Sequence, residues 1–156
     1  STLVDGFSVS EYLRKNHNDL FKMLTKTKVR FRFVDKTIIL ENWGELIELD
    51  ENNKVKQIRY STRLDYVPAL DKKELEKFYE ARKLIASLYA SSKFEIKFRL
   101  EKGDLLMMDN HRLLHGRTSY DVSEGKRYLK GCYIDHDSTE GKLRHLERKF
   151  GLKWKK

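Results

Sequence analysis

The sequence is poor in the residues that stiffen, cross-link or punctuate a chain: it holds one cysteine, one proline and eight glycines among 156 residues. A lone cysteine, Cys132, excludes an internal disulfide and fits a reducing compartment. With Pro68 as the single proline and no glycine-rich or low-complexity stretch, nothing reads as a flexible linker, and no internal repeat appears. No apolar run approaches the ~20 residues that span a bilayer, and the start has no signal-peptide pattern, so the expectation is a soluble intracellular protein. The first residue is Ser1 rather than methionine, which reads as a processed or partial product.

What is present suffices for a core. Apolar residues make up 39% and aromatics 12%, which excludes wholesale disorder and favours a single domain at this length. The net charge is +9, from 33 basic and 24 acidic residues, densest at the end in Arg144, Arg148, Lys149, Lys153, Lys155 and Lys156. Such a balance attracts nucleic acid or small anions, but solvated basic faces explain it more simply.

Ser8-Val9-Ser10-Glu11 has capping-box spacing ahead of apolar Val9, Tyr12 and Leu13, which predicts a helix interrupted at Asn16 to Asn18 and resumed through Leu20, Phe21, Met23 and Leu24. Val29 to Val34 alternates apolar and basic side chains, as a half-buried strand does. Further strands are expected at Thr37 to Leu40, Glu45 to Leu49 and Val55 to Ser61, the last two joined by the polar turn Asp50-Glu51-Asn52-Asn53. Asp71-Lys72-Lys73-Glu74 caps a long helix with Leu75, Phe78, Tyr79, Ile85, Leu88 and Tyr89 on one stripe. The period returns to two at Phe94 to Leu100, and Lys102-Gly103 turns the chain into Asp104 to Met108. A last strand pair is expected at Leu113 to Gly116 and Arg127 to Ile134, before a basic closing helix with Phe150 and Trp154 as core anchors. The expected class is α+β: a partial jelly-roll (double-stranded β-helix) sheet, a long crossing helix and a C-terminal helix.

Chemistry concentrates in Asp109-Asn110-His111-Arg112-Leu113-Leu114-His115-Gly116-Arg117. His111 and His115, four apart, would share a face on a helix as zinc ligands do, but the strand-like run before them and Gly116 after them argue against a helix. On its own, His115 reads as a structural histidine or a ligand. Arg127, twelve residues on, opens an apparent strand, where a guanidinium fork would grip a carboxylate through two parallel hydrogen bonds; a surface arginine is the plainer alternative.

That segment, followed by Arg127-Tyr128-Leu129-Lys130-Gly131-Cys132-Tyr133, closely resembles the gamma-butyrobetaine hydroxylase and trimethyllysine dioxygenase family, relatives of taurine dioxygenase. The resemblance extends in order through Val4-Asp5-Gly6-Phe7, Ile47-Glu48-Leu49-Asp50 and the Phe78-Tyr79 helix. It implies an iron(II) centre held by two histidines and a carboxylate, with 2-oxoglutarate as cosubstrate. His115 then matches the later histidine, and Arg127 the arginine on the far carboxylate of 2-oxoglutarate. Ser1 matches the end of a segment that touches the cosubstrate. Tyr133 matches a tyrosine of the aromatic cage for a trimethylammonium group, where ring faces attract a cation. The implied reaction hydroxylates an unactivated C–H bond of a small trimethylammonium amino acid or betaine, with succinate and carbon dioxide as coproducts. Members of this kind work in cytoplasm or mitochondria, need no membrane or nucleic acid, and leave a homodimer open.

Two departures stand out. The family's His-x-Asp ligand pair has no counterpart in residues 1–156, so the chain is expected to be the C-terminal portion of one oxygenase domain and to bind iron poorly alone. The literal His17-Asn18-Asp19 falls between two helices, where ligands two apart diverge by about 200°. Asp19 there suits a first helical turn. Tyr60-Ser61-Thr62-Arg63 stands where gamma-butyrobetaine hydroxylases carry Phe-Asn-Asn, which leaves the substrate open and makes Thr62 the substrate-facing candidate. A catalytically inactive remnant that binds 2-oxoglutarate or another anion, and a basic nucleic-acid-binding module built on Phe150 and Trp154, are the rival readings.

Overall fold

A computed structural model describes residues 1–119 and 128–152. Eleven elements follow in order: β1 (Thr2–Asp5), α1 (Gly6–Asn16), α2 (Asn18–Lys26), β2 (Lys28–Val34), β3 (Ile39–Glu45), β4 (Ile47–Leu49), β5 (Val55–Ile58), α3 (Lys72–Tyr89), β6 (Glu95–Lys97), β7 (Leu113–Gly116) and α4 (His136–Phe150). They fall into two compact units, Ser1–Ser119 and Tyr120–Lys156.

In the first unit, aspartates set the starts of α1 and α3. Asp5 caps α1, its Oδ1 accepting from the Phe7 backbone N–H at 3.1 Å and its Oδ2 from the Ser8 hydroxyl at 2.9 Å. The capping box expected at Ser8 therefore lies inside the helix, and Asp5 starts it one turn earlier. Asp71 caps α3 as its spacing predicts, accepting from the Glu74 N–H at 2.9 Å. His17 is the joint of α1 and α2: its N–H donates to Leu13 and its carbonyl accepts from Phe21.

The helices bury Val9 and Leu13 of α1, Leu20, Phe21 and Leu24 of α2, and Phe78, Ala81, Ile85 and Tyr89 of α3 in one core. Steps of three and four residues put the α3 set on one stripe. Tyr79, expected on that stripe, is 49% exposed, because it sits about 100° round from Phe78.

The strands form three small sheets, ordered β6-β1-β7, β2-β3 and β4-β5. All pairs among the described residues are antiparallel. The expected jelly-roll double sheet is not closed among the described residues; the architecture is mixed α and β. The reason lies in strands that do not form. Asp104 to Met108 has the apolar run of a strand but pairs with none among the described residues, and Leu105 and Met107 are 86% and 80% exposed. Residues 128–134 are not a strand either. Elsewhere the boundaries shift: Asp35 Oδ1 accepts from the N–H groups of Thr37 and Ile38, so the turn consumes Thr37 and β3 runs on to Glu45. The Asp50–Asn53 turn joins β4 to β5 as expected.

The second unit is built on α4. Its C-cap is Gly151 with φ +63°, and Leu152 donates back to the Glu147 carbonyl at 3.0 Å. Arg148 and Lys149 in its last turn favour the negative end of the helix dipole. Phe150, expected as a core anchor, is 62% exposed, and Trp154 lies outside the described residues. Among the described residues no helix is long and apolar enough to cross a membrane.

Candidate functional site

The Asp109–Arg117 segment is a turn feeding a strand, which excludes a helical pair of histidine ligands. Asp109 directs the turn: its carbonyl accepts from Arg112 and Leu113 at 3.1 and 2.8 Å, and its Oδ1 accepts from the His111 N–H at 2.8 Å. Two further bonds tie the turn to its neighbours. The Ile58 N–H donates to the His111 carbonyl at 2.8 Å, and the Gly6 N–H donates to the Arg112 carbonyl at 3.0 Å.

Gly6 makes that approach possible, since a Cβ there would lie 2.8 Å from Ile58 Cγ1 and 3.0 Å from the Arg112 carbonyl oxygen. Gly116 is small for a like reason, with Thr2 Oγ1 2.8 Å from where its Cβ would be.

β7 then pairs with β1 in the register Leu3↔His115 and Val4↔Leu114. Alternation sends Leu114 with Val4 toward the core and His115 to the other face, where it is exposed. His115 borders a hollow of about 190 Å³, with Ile58, Tyr60, Asn110, Leu113 and Leu114 as the other lining residues. A recess that sets one imidazole, one amide and one aromatic ring among aliphatic side chains can seat a small organic molecule beside a metal ligand or a hydrogen-bonding histidine.

Asp5 holds the base of this arrangement. Arg112 grips it with both forks, Nε to Oδ1 at 3.1 Å and Nη2 to Oδ2 at 2.6 Å, while Asp5 still caps α1. One carboxylate thus joins β1, α1 and the turn before β7. The Arg112 hydrogen bonds pull the Asp5 carboxyl below its ordinary range, helped by Ser8 and the Phe7 N–H against the opposing effect of burial. A depressed folded-state pKa stabilises the fold above the unfolded value and is lost as pH falls through the folded one. Asp5→Ala is therefore expected to lower stability by about 1–2 kcal/mol at pH 7, mostly through the cap. Asp5→Asn keeps a cap and should lose less than half of that, because the half-exposed Arg112 adds a modest increment. In urea unfolding the gap between wild type and Asp5→Asn should close as pH falls below about 4; a gap independent of pH would remove Arg112 as its cause.

The remaining sequence candidates are scattered. Ser1 extends the β1–β6 ladder by two backbone hydrogen bonds with Phe98, of 2.9 and 3.0 Å, and does not line the hollow. Thr62 is exposed on a turn. Tyr133 belongs to the second unit, outside any strand and 85% exposed. Arg127 lies outside the described residues. Asp19 occupies the first turn of α2 and pairs with Lys77 at 3.3 Å; it forms no ligand group with His17 and His115. Within Ser1–Ser119, no three histidine, cysteine or carboxylate side chains among the described residues converge to hold a metal. Around His115 within Ser1–Ser119, a three-ligand iron centre does not fit the described residues, since His115 offers one imidazole where the geometry needs three donors.

Sequence reasoning missed Tyr60 and Asn110 as lining residues and Asp5 as the clamp. Asn110 stood in the quoted segment without a role, and no local pattern links Asp5 to a residue 107 positions away.

Residues 1–133 match the model of the taurine catabolism dioxygenase TauD, TfdA family. The chain is 32% identical to the gamma-butyrobetaine dioxygenase of Pseudomonas sp. (strain AK-1), over 95% of this chain and 39% of the relative. It is also 32% identical to the Homo sapiens gamma-butyrobetaine dioxygenase, over 96% of this chain and 40% of the relative. The trimethyllysine dioxygenase of Meyerozyma guilliermondii is 30% identical, over 94% and 37%. The chain spans about two fifths of the length of these curated relatives. With a family match that covers most of its length, including β1, β7 and the turn that holds His115, this chain belongs to the TauD, TfdA family of dioxygenases.

Proposed function

We propose that the chain serves an iron(II)- and 2-oxoglutarate-dependent dioxygenase of carnitine-biosynthesis type, which hydroxylates trimethyllysine, gamma-butyrobetaine or a related trimethylammonium acid. The observation that carries the reading is His115, displayed outward on β7 beside the Tyr60–Asn110 hollow and within a family match running in order along residues 1–133. In this reading His115 is one of three iron ligands, and the other two are not among the described residues beside it. Arg127 anchors 2-oxoglutarate, Ser1 lies near it, and Thr62 and Tyr133 contribute to the substrate side. Bound iron would supply the activation of oxygen.

What the chain's own residues do is mechanical. The Asp5–Arg112 clamp and the Gly6 and Ile58 backbone bonds fix the turn before β7, and the β1 register then sets which face His115 presents. Ile58, Leu113 and Leu114 set aliphatic surface beside the His115 imidazole, the Asn110 amide and the Tyr60 ring.

The test joins the segment of the human relative that precedes the matched region to Ser1. Iron(II) and 2-oxoglutarate are then added without oxygen, and the visible charge-transfer band of the chelated metal is followed. The joined protein should show the band and the 156-residue chain should not, because one imidazole cannot set coordination. His115→Ala should abolish it, and Arg127→Ala should weaken 2-oxoglutarate binding at least tenfold. A band that survives His115→Ala would overturn the assignment.

A further inference from the structure

One wall of the hollow beside His115 is held from outside its own sheet. Tyr60 lies two residues past the end of β5, beyond the β4–β5 ladder, yet its ring stands edge-on to Tyr89 of α3, with centroids 5.0 Å apart and planes at 76°. The Arg82 guanidinium, also from α3, lies 5.5 Å from the Tyr60 ring centre. Arg82 is ion-paired with Asp65, whose side chain is 7% exposed, and reaches toward the Ser61 carbonyl at 3.5 Å.

The segment that carries Asp65 is itself stitched to β2: the Arg32 N–H donates to the Leu64 carbonyl at 2.8 Å and the Tyr66 N–H to the Arg30 carbonyl at 2.9 Å. Within the turn, the Ser61 hydroxyl oxygen accepts from the N–H groups of Arg63 and Leu64, both at 3.1 Å. Ser61 is thus engaged by its own backbone, as in a serine turn. Thr62 is left as the outward hydroxyl of the pair.

We propose that Arg82 and Asp65 are positioning residues, which set the Tyr60 ring against the hollow and fix the Ser61–Leu64 turn that presents Thr62. The chemistry suits the task. A guanidinium is planar, so one face can lie near a ring while its edge bonds a carboxylate, which a lysine cannot do. A pair sheltered from water resists the sliding that exposed pairs allow. The role bears on catalysis only through the reading of the hollow as the reaction site, on which it rests.

The experiment uses the chain with 15N-labelled backbone and 13C-labelled tyrosine and histidine rings. Arg82→Met combined with Asp65→Leu removes both charges while keeping apolar bulk. The Val9 and Leu13 amide signals should stay in place, reporting an intact core, while the Tyr60 ring and the Ser61, Thr62 and Arg63 amides shift or broaden. Arg82→Lys, which keeps the charge without the fork, should displace the same signals less. Tyr60 and turn signals at their wild-type positions in the folded double variant would overturn the proposal. Titrating 2-oxoglutarate into the protein joined to the human relative's preceding segment, with zinc(II) in place of iron(II), while watching the Tyr60 and His115 rings tests the hollow separately. Silent rings alongside a displaced turn would remove the reaction site and retain the positioning role.

Discussion

Arg82→Met is expected to destabilise the Ser1–Ser119 unit by about 3–5 kcal/mol, since it strands a buried carboxylate. Asp65 is 7% exposed at its side chain and Arg82 is its ion-pair partner. A sheltered pair gives little net stability over an apolar pair of the same size, because desolvation of both charges offsets most of their attraction. Breaking it is another matter: the remaining charge keeps its desolvation penalty and loses its partner. Adding Asp65→Leu to Arg82→Met should therefore restore most of the loss, a non-additivity that only coupled groups show. Urea unfolding of the two single variants and the double variant makes the comparison. Equal losses in Arg82→Met and the double variant would mean that packing, not charge, explains the site.

Ile85→Ala should cost about 2–5 kcal/mol, the range for truncating a fully buried aliphatic side chain whose surroundings relax only in part. Ile85 is at 0% exposure, between Ala81 and Tyr89 on the inward stripe of α3. Tyr79→Ala should cost less than about 1 kcal/mol, because that residue is already 49% exposed and its ring meets the adjacent Phe78 only edge-on, with centroids 6.0 Å apart. Thermal unfolding of the two variants separates these readings of the helix. A Tyr79→Ala loss as large as that of Ile85→Ala would return Tyr79 to the core stripe. The outcome matters for the site, because the same inward face of α3 carries Tyr89 against Tyr60.

The fold was legible wherever a local rule and the tertiary context agree. The Asp71 cap works from spacing alone, since its carboxylate needs only the N–H three residues on. The β4–β5 hairpin likewise needs only a polar turn between two short strands. Asp104 to Met108 reads as a strand from its apolar run and forms none, because an apolar run says nothing of whether a partner is there to take its hydrogen bonds. The cap at Ser8 was misplaced because Asp5, three residues earlier, offers the same chemistry and is also held by Arg112.

For the site, the sequence by itself determined the family, through the ordered run from Val4-Asp5-Gly6-Phe7 to Asp109–Arg117, and with it the singling out of His115. Within each of those short segments, spacing is set by covalent geometry. Only the tertiary structure decided that Asp5 and Arg112 are one clamp, that Gly6 admits the Arg112 carbonyl, and that Arg82 reaches Tyr60 through the Asp65 segment. Each of these joins residues with no periodic relation, and none exists until the core under α1, α2 and α3 has closed and brought them within hydrogen-bonding range.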